Sequence, residues 1–210
     1  HWWVGTYGGG LAKFKENAFE GVKLSSDVNS NIVKSVIEDR EGNYWLGTWN
    51  GLFKYNGDRF VTYTIDDGLS NNNILSVYPD SGNRIWFGTL MGGLNYFDAS
   101  GFHTVKANEG LKSNNIWCIN RDRQGYIWFG TTNGPARYNP AKDEFQAMYP
   151  GLSSLIVYAL LQDKSGAYYF GTDKGIFKYS GEQLSRIGIT EGLSNDKVRV
   201  LFEDAQGVVW

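Results

Sequence analysis

The chain is short of nearly everything that would tie it to a membrane, a nucleic acid or a disulfide scaffold. No apolar run approaches the roughly 18 residues that a spanning helix needs, so no membrane contact by these residues is expected. Lys and Arg total 20 against 22 Asp and Glu, a formal charge of −2, and no basic run interleaves with aromatics. Nothing therefore draws the chain electrostatically to nucleic acid or to an anionic membrane. The single cysteine, Cys118, has no intrachain partner and lies in an apolar strand pattern, where it reads as a small buried hydrophobe. Without a disulfide framework, cysteine usage leaves the compartment open. There is no signal peptide, and the first residue is His1 rather than Met, which reads as a processed or excised piece.

Catalytic equipment is equally sparse. Of two histidines, His1 is terminal and His103 falls on an outer strand. No His, Cys, Asp and Glu cluster has metal-ligand spacing, so no metal and no other cofactor is expected. Nucleophile elbows and triads are missing. The carboxylates are mostly turn aspartates and their neighbours, such as Glu38-Asp39 and Glu203-Asp204, which are expected to be solvated. General acid–base chemistry needs a titratable group in a cleft, and the segment is expected not to be an enzyme.

What the chain has in quantity is glycine and aromatic rings: 27 Gly, 8 Trp, 13 Tyr and 12 Phe. They recur at a fixed period. A Gly-Thr pair stands at Gly5-Thr6, Gly47-Thr48, Gly88-Thr89, Gly130-Thr131 and Gly171-Thr172, giving spacings of 42, 41, 42 and 41. Two residues before each Gly comes Trp3, Trp45, Trp86, Trp128 or Tyr169, and Trp210 stands in the same register. Eight before come Asp39, Asp80, Asp122 and Asp163, with Asp204 a further repeat on. A Gly-Leu pair marks another phase at Gly68, Gly110, Gly151 and Gly192. Four markers holding one period define a repeat protein.

Each repeat reads as four short strands. Between 73 and 107 these are Ile74–Tyr78, a turn at Asp80–Asn83 with Gly82 free to take positive φ, Arg84–Thr89, a turn at Met91–Gly93, Leu94–Phe97 and Phe102–Val105. No sustained 3.6-residue period predicts helix. Four tightly turned strands per repeat, with an aromatic and glycines at fixed phase, predict an all-β β-propeller of four-stranded antiparallel blades. The chain would be one propeller segment of five repeats of about 41 residues. The expected blades are 32–65, 73–107, 115–148 and 156–189, with a fifth split between 1–24 and 197–210. It could close as a five-bladed ring or form an arc of a larger one; the recurrence of the 1–3 phase at 208–210 favours an arc of a seven-bladed ring.

The repeated text, Gly68–Ile74 (GlyLeuSerAsnAsnAsnIle), Ile85–Thr89 (IleTrpPheGlyThr) and Gly92–Asp98 (GlyGlyLeuAsnTyrPheAsp), resembles the two-component regulator propeller repeat. Glu109–Ile116, Ile127–Thr131 and Glu191–Asn195 repeat the likeness, which covers essentially the whole chain. Departures occur at Tyr168–Phe170, where the usual Trp is replaced, and at Gly134-Pro135, where Gly-Gly is usual. The resemblance implies the periplasmic sensor region of a bacterial hybrid two-component histidine kinase, with any kinase lying elsewhere in the parent chain and a homodimer as the working receptor. Many members of that family sense polysaccharide breakdown products, which implies an oligosaccharide or other small-molecule ligand. A protein-interaction scaffold and a propeller lyase are the alternatives.

Comparing the repeats with one another separates scaffold from candidate site. Positions shared by every repeat answer packing and turning: Trp as a wedge between blades, Asp and its following Gly as a turn, Gly-Thr as a point of close strand approach. Positions that vary at one phase are free to serve a ligand. Five residues before the turn Asp stand Lys34, Leu75, Trp117, Tyr158 and Arg199. Just after Gly-Thr come Tyr7, Trp49-Asn50, Leu90-Met91, Thr132-Asn133 and Asp173-Lys174. Asn residues crowd the connections between repeats, at Asn31, Asn71–Asn73, Asn114-Asn115 and Asn195; singly, each reads best as turn chemistry. The candidate ligand-binding residues are Lys34, Trp49, Asn50, Met91, Trp117, Asn133, Tyr158, Lys174 and Arg199. Rings, amides and cations together suit a sugar, whose C–H faces stack on aromatics while its hydroxyls meet polar groups.

Overall fold

The computed structural model describes residues 2–105, 111, 113–146 and 151–210. His1, Gly110 of the Gly-Leu marker and the blade ends expected at 106–107 and 147–148 lie outside them. The described chain is all-β, with short 3-10 turns at Asn29–Asn31, Ile65–Asp67 and Ile189–Glu191. It divides into two compact units, His1–Val105 and Lys106–Trp210.

The first unit holds three antiparallel sheets. One is three-stranded: β1 (Trp2–Gly5), β2 (Leu11–Lys15) and β3 (Ala18–Val22). The next two are four-stranded meanders: β4 (Val33–Glu38), β5 (Tyr44–Thr48), β6 (Gly51–Tyr55) and β7 (Phe60–Tyr63), then β8 (Ile74–Pro79), β9 (Ile85–Thr89), β10 (Leu94–Asp98) and β11 (Gly101–Val105). The second unit repeats the pattern twice. Its sheets are β12 (Ile116–Arg121), β13 (Ile127–Thr131), β14 (Gly134–Asn139) and β15 (Glu144–Gln146), then β16 (Val157–Gln162), β17 (Tyr168–Thr172), β18 (Gly175–Ser180) and β19 (Gln183–Ile187). Near the C-terminus, Phe202 and Trp210 exchange both backbone hydrogen bonds across a hairpin that turns at Asp204.

Two of the sequence markers prove to be one device. The indole Nε1 of Trp45 donates to the carboxylate of Asp39 at 2.8 Å, Trp86 to Asp80 at 2.9 Å, Trp128 to Asp122 at 2.8 Å and Trp210 to Asp204 at 2.8 Å. The other carboxylate oxygen accepts backbone N–H groups of the turn, as Asp163 does from Ser165 and Ala167. Where Tyr169 replaces Trp, its side chain still hydrogen-bonds Asp163, so the departure keeps the blade intact. Asp80, Asp122 and Asp163 are consequently buried, which corrects the expectation of solvated turn carboxylates. The physical reason is that each carboxylate satisfies the donors of its own turn and of the wedge above it, so burial orphans no polar group.

The ring wedges between consecutive sheets as expected. Trp45 of β5 packs with Ile74 and Val77 of β8 and Ile85 and Phe87 of β9. Trp128 of β13 likewise packs with Val157 and Leu160 of β16 and Phe170 of β17. Burying one such ring is worth on the order of 5 kcal/mol before ordering entropy is counted. The Gly of Gly-Thr makes room for that contact: a Cβ on Gly47 would stand 2.8 Å from Ile74 Cγ2 in the next sheet, and one on Gly171 3.0 Å from Val198 Cγ1. The close approach reaches the next sheet and, at Gly130 and Gly171, also the neighbouring strand of the same sheet, at Cys118 and Ala159. Each Thr turns inward and caps the second turn, as Thr48 Oγ1 does by donating to the Gly51 carbonyl at 2.8 Å. One turn differs from expectation. In the third repeat Asn83, at φ 62°, and not Gly82 takes the left-handed position. Asn83 occupies the phase that Gly42, Gly125 and Gly166 fill elsewhere, and Asn tolerates this conformation better than most residues.

Candidate functional site

Each first strand carries a β-bulge at one phase. The ladder to the second strand slips between Val33 and Ser35, Ile74 and Ser76, Ile116 and Cys118, and Val157 and Ala159. The residues left over are Lys34, Leu75, Trp117 and Tyr158, the phase at which the repeats vary most. A bulge releases one residue from pairing and re-aims its side chain. A common backbone irregularity therefore presents a different side chain in every repeat.

In the first unit the bulge residue Lys34 places Nζ 5.8 Å from the centre of the Trp49 indole. Tyr7 meets the same indole edge-on, at 5.5 Å and 79°. The structure so joins Lys34 and Trp49 with Tyr7, from the turn after the first Gly-Thr. Asn50, beside Trp49, is held differently. Its Nδ2 donates to Asp27 Oδ2 at 2.8 Å and its Oδ1 accepts from Asn72 Nδ2 at 3.2 Å, linking the two connections that flank its blade. The hydrogen bond from Asn50, then that from Ser30, holds the Asp27 carboxyl below its ordinary range. Met91 stands exposed on the corresponding turn of the third sheet, with its backbone left-handed at φ 65°.

The second unit gathers more. The bulge residues Trp117 and Tyr158, from neighbouring first strands, meet edge-on at 5.3 Å and 73°. Trp117 Nε1 donates to Thr132 Oγ1 at 3.3 Å, which ties the indole to the turn of its own blade. Two cations lie over the Tyr158 ring: the Arg199 guanidinium at 4.6 Å from its centre and Lys197 Nζ at 5.6 Å. Asn133 and Lys174 are exposed on turns, each anchored through its backbone N–H to the hydroxyl of the Thr two residues before, Thr131 and Thr172. Lys197 was not singled out from the sequence. Its signal was its place two residues before Arg199.

The Asn-rich connections are turn chemistry. Asn31 is buried, donating to the Ser25 and Asp27 carbonyls and accepting from Leu24 N–H. Asn72 accepts from Ile65 N–H at 2.8 Å, and Asn195 from Lys197 N–H at 2.8 Å. Among the described residues no His, Cys, Asp and Glu group is placed to hold a metal ion, and no helix is long and apolar enough to cross a membrane.

Three stretches, 27–50, 68–90 and 110–133, match the family model described as the two component regulator propeller. Each runs from a connection through the bulged first strand, the Asp turn and the Trp strand to Gly-Thr or just beyond. These three stretches are two component regulator propeller repeats. No curated protein sequence matches the chain. Among solved structures, it is similar to the extracellular domain of a putative hybrid two component system from B. thetaiotaomicron, at 22% identity and a TM-score of 0.82 over 99% of this chain. The chain spans only 30% of that domain. It is also similar to PorZ, a surface component of the type-IX secretion system of Porphyromonas gingivalis, at 16% identity and a TM-score of 0.74, covering 99% of this chain and 36% of that one. A virginiamycin B lyase from Staphylococcus aureus shares 12% identity at a TM-score of 0.76, covering 99% and 72%. At these identities the likeness is one of fold.

Proposed function

We propose that this chain is the ligand-recognising part of an extracytoplasmic sensor in a two-component receptor, and that its ligand is an oligosaccharide. The observation that carries the reading is the bulge. It sets one hypervariable side chain per repeat beside the hypervariable second turn, and in each unit brings aromatic rings and cations together. Asn50 apart, which ties its flanking connections, packing and turning do not call for these residues, since the buried Trp and Asp of each repeat already supply both. Pyranose rings offer C–H faces to Trp and Tyr and hydroxyls to Lys and Arg, so the residue mixture fits a sugar. Extracellular domains of putative two-component systems among the similar folds support a periplasmic location. In the receptor, working as a homodimer, ligand would bias one arrangement over another to the extent of its differential affinity.

Isothermal titration of the chain with a panel of neutral and charged oligosaccharides tests this. Saturable binding is expected, weakened by roughly tenfold or more in Trp117→Ala or Trp49→Ala, the usual scale for losing an aromatic anchor. Absence of heat and of intrinsic fluorescence change with every sugar, together with capture of a peptide ligand by the same residues, would replace this reading with that of an interaction scaffold.

A further inference from the structure

The second unit's cluster carries a charge arrangement that a neutral sugar leaves unused. Arg199 and Lys197 stand over one ring, that of Tyr158. Two like charges gathered on one ring repel each other, and the chain as a whole has a formal charge of −2, so the concentration is local. The carboxylates of the flanking segments are engaged by other groups. Asp196, the sequence neighbour of Lys197, pairs with Arg186 at 3.1 Å and accepts from Ile189 N–H. Asp173, on the adjoining turn, accepts from Ile156 N–H at 2.9 Å. Among the described residues, the ion pairs at 4.0 Å or less involve neither Lys197 nor Arg199.

From this juxtaposition we infer that the cluster of Trp117, Tyr158, Lys197 and Arg199 receives the carboxylate of an acidic sugar, so that the ligand class is uronic-acid oligosaccharides. The inference rests on the carbohydrate reading above and narrows it. Arg199 holds its guanidinium beside the Tyr158 ring, and a guanidinium can bind a carboxylate through two parallel hydrogen bonds. Tyr158 removes much of the side chain's rotational freedom beforehand, so less is lost on binding. The Lys197 ammonium adds a point charge to the same anion and relieves its repulsion with Arg199. Trp117, its indole fixed through Thr132, stands roughly perpendicular to Tyr158 and supplies an apolar wall for the sugar ring that bears the carboxylate.

The test is titration calorimetry of the chain with tetrasaccharides of galacturonate, glucuronate and mannuronate, each also as its methyl ester, alongside neutral oligosaccharides. At least one free acid is expected to bind tenfold or more tightly than its ester, and to weaken as salt rises from about 50 to 500 mM, as a screened charge contact should. Arg199→Gln with Lys197→Gln is expected to abolish the acid-over-ester preference while leaving the weaker binding of the ester in place; Arg199→Lys restores part of it. Circular dichroism and the unfolding midpoint confirm that the variants fold. Equal binding of acid and ester, or an acid preference that survives the double substitution, overturns the inference and leaves the carbohydrate reading standing. Binding of neutral sugars alone does the same. Failure of every sugar overturns both.

Discussion

Replacing Asp122 by Ala tests the coupling of turn to wedge, because the same bonds recur elsewhere at a different depth. The Asp122 carboxylate accepts from Trp128 Nε1 at 2.8 Å, Tyr126 N–H at 2.9 Å and the Tyr168 hydroxyl of the next sheet at 3.0 Å. The residue is 6% exposed. Tyr168 keeps a second acceptor in Gln124, at 3.3 Å, so the substitution strands two donors rather than three. Each stranded donor costs about 1–3 kcal/mol, which puts the loss near 3–4 kcal/mol. With a urea slope of about 2 kcal/mol/M, the midpoint should fall by roughly 1.5–2 M. Asp122→Asn should cost less, since one oxygen still accepts from the turn while the amide opposes the indole N–H. Asp204 makes the corresponding bonds to Trp210, Val208 and Gln206, yet Trp210 is 73% exposed and water can replace the lost acceptor. Asp204→Ala should leave the midpoint where it is. Urea unfolding followed by tryptophan fluorescence reads all three variants. If Asp122→Ala shifts the midpoint no further than Asp204→Ala, burial is not what makes the pair matter and the reasoning fails.

Other expectations follow from the same contacts. Gly130→Ala should destabilise by about 3 kcal/mol or more in urea unfolding, because its Cβ would meet the Cys118 sulfur and stand 2.5 Å from the Val157 carbonyl oxygen, part of the next strand's backbone. Gly47→Ala should cost less, about 1–2 kcal/mol, since there the obstacles are the side chains of Ile74 and Val77. Burial pushes the Cys118 thiol up to about 12, so native protein should resist a thiol-alkylating reagent at neutral pH, whereas urea-unfolded protein should react fully; mass spectrometry distinguishes the two. Asp39 and Asp163 both lie below their ordinary range: burial opposes this most, but is outweighed for Asp39 by hydrogen bonds from Trp45 and Asn43 and for Asp163 by those from Ser165, Ala167 and Tyr169. A depressed folded value means the stabilisation is whole above the unfolded value, near pH 4, and is lost as pH falls through the folded one. The thermal midpoint should therefore drop steeply below about pH 4, and Asp39→Asn with Asp163→Asn should flatten that fall.

The repeat was legible because packing and turning impose the same demand every forty-odd residues. Trp45 and Trp128 each answer to the sheet that follows, and the glycine beside each threonine to close contacts, so a single sequence displays them by comparison with itself. The pairing of Asp with Trp six residues later was hidden, although both were visible, because a hydrogen bond leaves no period of its own. Asn83 escaped notice for a related reason: Gly82 is the more permissive residue, and only the turn's register decides which of the two must be left-handed. The site was legible in part. Variation at one phase pointed to Lys34, Trp117 and Tyr158, but not to the bulge that frees them, because a bulge is one extra residue in a ladder and needs the partner strand to be seen. Asn50 was chosen for its variable phase, and the structure shows its amide bridging Asp27 and Asn72. Lys197 was passed over because only the ring beneath it gives it company.

The direction in which the wedges point has a bearing on how the chain is made. Trp45 is sealed by β8 and β9, and Trp128 by β16 and β17, in each case by the sheet that emerges later from the ribosome. At about 5–20 residues per second, each newly finished sheet waits several seconds with a large indole uncovered before its successor arrives. At these two repeats the nascent protein therefore exposes a sticky edge until the next sheet is made. The aspartate that already grips the indole through its nitrogen offers a way to hold that ring in place during the wait.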